Sequence, residues 1–277
     1  MRTSATQQCA PLLPVIKRRN KRIFEEVALM RFQETENKNL PTIILLHGGG
    51  LSSWALTNVV EILQVNYHVV TPILDGYGED SNHDFISIED SAQKLISYIE
   101  QQHNGKVFAL GGLSIGAQIV TEVLTQRENI AEFAILESAL VLPIKGTKAL
   151  TVPTFKLSYG LIKMRWFSKL QAKTLFVPDT MFEQYYSDSL KISKQTLINT
   201  TLSNGTYALK NEIEKTKTKV LVIVGEKEIK LMRKSAELLH GKIPNNKLIV
   251  LPNMGHGELS MLHPMEYAEI LEEFFVK

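Results

Sequence analysis

The chain has 277 residues, with 31 Lys and Arg against 29 Asp and Glu and a formal net charge of +2, which removes any global electrostatic case for nucleic-acid binding. A hydrophobic content of 44% with 22% charged residues is that of a folded globular protein and excludes a fibre or a disordered chain. The single cysteine, Cys9, excludes an intrachain disulfide and a cysteine-based metal cluster.

Residues 1–21 read as a loose extension. Its apolar stretch, Pro11 to Ile16, is short and broken by proline, and the basic cluster Lys17, Arg18, Arg19, Lys21 and Arg22 follows it, the wrong order for a secretory signal. No apolar run is long enough to span a bilayer, so the expected location is cytoplasmic with no integral membrane segment. Ile23–Phe32 partly alternates and suggests one or two antiparallel edge strands. Thr42–Leu46 is a continuous apolar run, the pattern of a strand buried on both faces of a parallel sheet. It ends in His47-Gly48-Gly49-Gly50, and Ser52 or Ser53 is placed to cap a helix over Trp54–Leu63. The next strand is His68–Ile73, followed by an acidic, glycine-containing loop with Asp75, Gly76, Gly78, Glu79 and Asp80. Ser87 then opens a capped helix that reaches Gln102.

Val107–Leu110 is an apolar strand that meets a helix beginning near Ile115, and between them stand Gly112, Ser114 and Gly116. Gly-x-Ser-x-Gly at a strand-to-helix turn is a nucleophile elbow: the tight turn strains the serine backbone and exposes its hydroxyl, while the glycines let strand and helix pass closely. A helix to Gln126 and a strand, Phe133–Leu136, follow. The strand–helix alternation then breaks between about Val141 and Thr216, where aromatic and methionine-bearing helices suggest a lid inserted after the sixth strand. The alternation resumes with the strand Lys219–Val224, a helix Met232–His240, the strand Lys247–Leu251 and a C-terminal helix Pro264–Phe275. The predicted fold class is α/β, a mostly parallel doubly wound sheet in one domain, with core 22–140 and 217–277 and lid 141–216.

These pieces in this order resemble the α/β-hydrolase superfamily, specifically its small capped serine hydrolases. The resemblance rests on His47-Gly48-Gly49, Asp75-Gly76-x-Gly78, Gly112-x-Ser114-x-Gly116, Gly225-x-x-Glu228 and Gly255-His256, each at the end of a predicted strand. It implies a Ser-His-acid triad with Ser114 as nucleophile, His256 as base and Glu228 as acid, although the family more often has Asp at the last position. Glu137, at the end of the sixth strand, is the alternative acid. Glu226 is expected to face elsewhere and Glu258 to be exposed. The oxyanion would be met by the backbone N–H groups of Ile115 and Gly49, with Gly48 as second choice for the latter. Gly48 and Trp54 are expected substrate contacts. His47 is expected to hold the shape of its loop, and the remaining histidines to be structural.

Phosphate-binding patterns fail on spacing, and the carboxylates at 75, 79 and 80 have no companion histidine, so no cofactor and no metal are expected. The stretch Thr151–Pro178 carries Lys156, Lys163, Arg165, Lys169 and Lys173 with no acidic residue, which reads as a solvated basic face or an attractor for anionic substrates or a membrane surface. The resemblance implies a carboxylesterase-like serine hydrolase acting on a small, hydrophobic ester. A carbon–carbon bond hydrolase of the same fold and a slow-turnover ligand receptor share the same residues. The sequence carries no signal of oligomeric state.

Overall fold

The structure, a computed structural model, describes residues 30–276. The extension 1–21, with Cys9, and the basic cluster at 17–22 lie outside the described residues. A seven-stranded sheet forms the centre: β1 (Arg31–Glu34), β2 (Thr42–Leu46), β3 (His68–Ile73), β4 (Val107–Leu113), β5 (Ala131–Glu137), β6 (Lys219–Gly225) and β7 (Asn246–Leu251). Their order is β1-β3-β2-β4-β5-β6-β7, with β1 antiparallel to β3 and every other pair parallel.

Alternate residues of the central strands feed two cores, as a pleat of period two requires. Ile44, Leu46, Leu110, Leu136 and Val222 face one side, while Ile43, Leu45, Ala109, Ile135 and Leu221 face the other. Helices α1 (Thr57–Leu63) and α10 (Pro264–Val276) close the second side; α2 (Ile88–Gln102), α3 (Ile115–Gln126) and α8 (Lys230–Lys242) close the first. Each fully buried Leu or Ile contributes roughly 2 kcal/mol by leaving water. Burial on both faces explains why these strands read as continuous apolar runs.

From β2 the chain steps to β3 on one side, then crosses back to β4 on the other, so the loops after β2 and β4 diverge at a topological switch point. In open parallel sheets that crevice is where ligands bind. Leu46 pairs with Gly112, which brings the loop after β2 alongside the turn after β4.

Four helices, α4 (Thr147–Ile162), α5 (Arg165–Thr174), α6 (Phe182–Lys191) and α7 (Lys194–Thr206), are inserted between β5 and β6. The sequence places the insertion after a sixth strand, with one or two strands over 23–32; most of that stretch lies outside the described residues, among which the insertion follows the fifth strand. Its entrance and exit are tied together: Ile144 N–H donates to Gly205 O (2.8 Å) and Leu209 N–H to Val141 O (3.1 Å). The buried Gln118 side chain of α3 donates to Leu140 O (2.6 Å) on the way in and Asn204 O (3.1 Å) on the way out.

Three details differ from the sequence reading. The helix expected over Trp54–Leu63 opens as a 3-10 turn, Ser53–Leu56, and no serine hydroxyl caps it; Ser52 instead lies against Gly78, where a Cβ would stand 2.2 Å from its Oγ. β4 continues through Gly111 and Gly112 to Leu113, because a Cβ at Gly111 would fall 2.6 Å from the Leu45 side chain; these glycines fit the strand to its neighbour and do not end it. A short helix, α9 (Glu258–Leu262), fills what read as loop. The cap at Ser87 is present, its hydroxyl accepting from Asp90 N–H (3.1 Å). Among the described residues no helix is long and apolar enough to cross a membrane.

Candidate active site

β4 passes into α3 through one residue, Ser114, whose backbone sits at φ 56° and ψ −115°. Such a conformation costs a non-glycine residue on the order of 1–3 kcal/mol. It persists because the surroundings leave no alternative: a Cβ at Gly112 would lie 2.3 Å from the Gly116 carbonyl carbon, and one at Gly116 would lie 2.7 Å from the carbonyl oxygens of Leu46 and His47. The glycines in the pattern are therefore the steric condition for β2, β4 and α3 to converge.

His256 comes from the loop after β7 and Glu228 from the loop after β6, and the pairing of these strands sets the two loops side by side. His256 Nε2 is 3.0 Å from Ser114 Oγ, and Nδ1 is 2.8 Å from Glu228 Oε2. The other carboxylate oxygen accepts from the Ser138 hydroxyl (2.7 Å) and from Gly225 N–H (2.8 Å). Burial alone would push the Glu228 carboxyl up, but the hydrogen bond and charge of His256, with the Gly225 and Ser138 donors, together hold it below its usual value. An ionised Glu228 fixes the tautomer: Nδ1–H donates to it, leaving Nε2 as the acceptor that faces Ser114. The Glu228 side chain is 1% exposed and that of His256 38%, so the imidazole bridges a dry carboxylate and an open cavity.

Glu137 does not reach His256. Its Oε1 accepts from Ser260 N–H (3.3 Å), its Oε2 has no hydrogen-bond partner among the described residues, and burial, only partly offset by Ser260, pushes the carboxyl up to about 7. Glu226 accepts from Asn253 N–H (2.9 Å). Glu258, expected to be exposed, is half-buried and accepts from Gly255 N–H (2.7 Å), because it closes the turn that carries His256. His47 spends both ring nitrogens on loop shape: Nδ1–H donates to Gly48 O (2.9 Å) and Nε2 accepts from Leu74 N–H (3.1 Å). Burial holds it neutral, its pKa down to about 4.

Gly49 and Ile115 are neighbours, since a Cβ at Gly49 would lie 3.7 Å from Ile115 Cγ2. Ile115 opens α3, so its N–H has no partner within the helix, and the helix dipole places partial positive charge there. Gly49, Gly50 and Ser114 border a cavity of about 490 Å³, within the range of small-molecule sites. Thr147, Thr200 and Thr201 give it hydroxyls, Ile162 and Ile192 give it apolar wall, and among the described residues no charged side chain lines it. Gly48 and Trp54 are placed elsewhere. Gly48 lies against Leu113, and the Trp54 indole N–H donates to the buried Asp188 of α6 (3.0 Å), tying the insertion to the loop after β2.

Two contributors carried no signal in the sequence. Ser138, which orients Glu228, follows β5 outside any motif, and Tyr77 meets its partner Thr200 (2.8 Å) only across the insertion. The acidic loop serves the fold: Asp75 forms a buried ion pair with Lys94, and Asp80 pairs with His83 (2.8 Å). Among the described residues no group of three or more His, Cys, Asp or Glu side chains is placed to hold a metal ion.

The profile of the alpha/beta hydrolase family matches residues 43–270. A pimeloyl-[acyl-carrier protein] methyl ester esterase of Vibrio vulnificus is 33% identical over 73 residues, a match that spans 26% of this chain and 29% of that protein. An esterase from Exiguobacterium antarcticum superposes with a TM-score of 0.73 at 18% identity, over 90% of this chain and 96% of that one. A bromoperoxidase from Bacillus anthracis superposes as well, with a TM-score of 0.74 at 18% identity over 89% and 95% of the two chains. Similarity at that level is similarity of fold, since proteins named for different chemistries match equally.

Proposed function

The chain belongs to the alpha/beta hydrolase family, and from that premise we propose that it is a serine hydrolase cleaving a small, neutral ester through a Ser114 acyl-enzyme. The observation that carries the reading is the unbroken hydrogen-bonded path from Ser114 Oγ through His256 to Glu228, opening on an uncharged cavity. In this reading His256 Nε2 takes the serine proton as Oγ attacks the ester carbonyl, and Glu228 stabilises the imidazolium. The oxyanion is met by the N–H groups of Ile115 and Gly49, each worth about 3 kcal/mol in the transition state. The proton then passes to the leaving alcohol, and water, activated by the same imidazole, releases the acid. The helices between β5 and β6 act as the lid of a single domain, and the uncharged wall selects against free carboxylates.

A fluorophosphonate probe, read beside turnover of short-chain aryl esters, tests this. Wild type should label and turn over; Ser114→Ala and His256→Ala should do neither, with rates down by about 10⁴-fold or more. Labelling that survives Ser114→Ala overturns the mechanism, and labelling without turnover of any ester shifts the reading to a ligand receptor.

A further inference from the structure

α5 is built inside out. Its buried residues are Ser168 and Ala172, while Trp166 and Leu170 stand 62% and 58% exposed. Trp166, Lys169, Leu170 and Lys173 fall at i, i+3, i+4 and i+7, so they share one outward face. The opposite side of the helix, through Gln171 and Leu175 just beyond it, borders the cavity. The preceding helix, α4, repeats the anomaly: it is rich in apolar residues, yet of its 16 residues only Thr151 and Ile162 are buried, and Leu150 and Leu157 are 65% and 89% exposed. Leu150 and Leu157 are seven apart and therefore also share a face, with Lys156 beside them. Exposed leucines are ordinary one at a time; two consecutive, touching helices with their large apolar side chains turned outward are not.

The charge on these helices selects the occupant. No acidic residue occurs from Ser138 to Pro178. Lys163 is used inside the insertion, donating to the carbonyls of Ser189, Leu190 and Ile192, and Arg165 pairs with Glu183. Lys156, Lys169 and Lys173 are exposed among the outward apolar side chains. A second copy docked on this face through a two-fold axis would set these lysines against each other with no carboxylate from either stretch between them. A surface of dense negative charge over an apolar interior suits both features at once: the lysines meet anionic headgroups, Trp166 sits at the interface, and the leucines reach the acyl boundary.

We infer that the outward faces of α4 and α5 dock the protein on anionic lipid bilayers. The cavity, on the opposite side of α5, then lies one helix away from the lipid. The docking surface itself does not depend on the hydrolase reading.

The test is flotation of the full chain with vesicles of phosphatidylcholine alone and of equimolar phosphatidylcholine and phosphatidylglycerol, at low and high salt. Binding is expected only to the anionic vesicles and is lost at high salt. The paired change Lys169→Gln with Lys173→Gln should weaken partitioning roughly twenty-fivefold, about fivefold per lysine, and Trp166→Ser with Leu170→Ser about tenfold or more. Both pairs keep the basic residues at 17–22, so a loss reads the helices and not that stretch. Both should also hydrolyse soluble aryl esters as wild type does, which controls for folding. Ser114→Ala should float as wild type does, so failure of the catalytic reading is distinguishable from failure of this one. Equal binding to both vesicle types, undiminished binding of the paired variants, or a dimer that Trp166→Ser with Leu170→Ser abolishes would each overturn the inference.

Discussion

A methyl group added to Gly112, at the carboxyl edge of the sheet, would stand 2.3 Å from the Gly116 carbonyl carbon; one added to Gly160, in α4 of the insertion, would meet nothing within 4 Å. The contrast extends to whole segments. At the sheet edge, backbone passes so close to backbone that residue identity is dictated, and polar groups such as Glu228 have every oxygen engaged. In α4 and α5 of the insertion, large apolar side chains such as Leu157, Trp166 and Leu170 face solvent, and identity is set by whatever those helices meet. On the proposed function, the edge fixes where bonds break, and the insertion governs what reaches them.

The sharpest way to break this contrast lies within the edge itself. Glu228→Gln should lower kcat/KM on an aryl ester by about 10⁴-fold, since an amide cannot hold the imidazole tautomer or its charge, whereas Glu137→Gln should cost less than about tenfold. The reverse order, measured in one steady-state assay, would move the acid to β5.

Glu137 predicts a smaller effect, on stability. Its carboxyl titrates at about 7 in the folded chain against 4.5 when unfolded, so between those values the native state binds the extra proton. The neutral form is the one the fold favours; its stabilisation is fully present below pH 4.5 and is lost as pH rises through about 7. Urea unfolding of wild type and Glu137→Gln at the two ends of that window should differ by about 3 kcal/mol in favour of wild type at the acid end. Parallel curves would show that Glu137 is paired.

Leu221→Ala, in the centre of β6 and fully buried, should cost about 3 kcal/mol in the same unfolding assay, and Leu157→Ala, in α4, less than about 0.5 kcal/mol. A large loss at Leu157 would mean that α4 is covered by protein in solution.

Legibility in the sequence follows the same division. The strands were readable because two-sided burial leaves uninterrupted apolar runs, and the turn at Ser114 because its steric demand leaves glycines at fixed offsets. His256 stands out in the sequence by its place after the last strand. The choice between Glu228 and Glu137 was not decidable from spacing, because it depends on depth: one carboxyl ends beside His256, the other is sealed against Ser260. Trp54 reads as a substrate contact until its indole N–H is seen on Asp188, 134 residues away. α5 defeats pattern reading altogether, since the usual inference from apolar spacing to buried face points the wrong way there.

Val141 with Leu209 and Ile144 with Gly205 close the segment between them like the clasp of a loop, and Gln118 grips both strands of the clasp from the helix that Ser114 begins. Once the ends are held, further length within the loop costs only a slowly growing closure entropy. The roughly sixty residues inside can therefore be exchanged as a cassette, their mouth still registered to the serine through one amide side chain. A graft cut at these two bonds, and not at the ends of β5 and β6, is the one that should carry a new specificity onto this sheet intact.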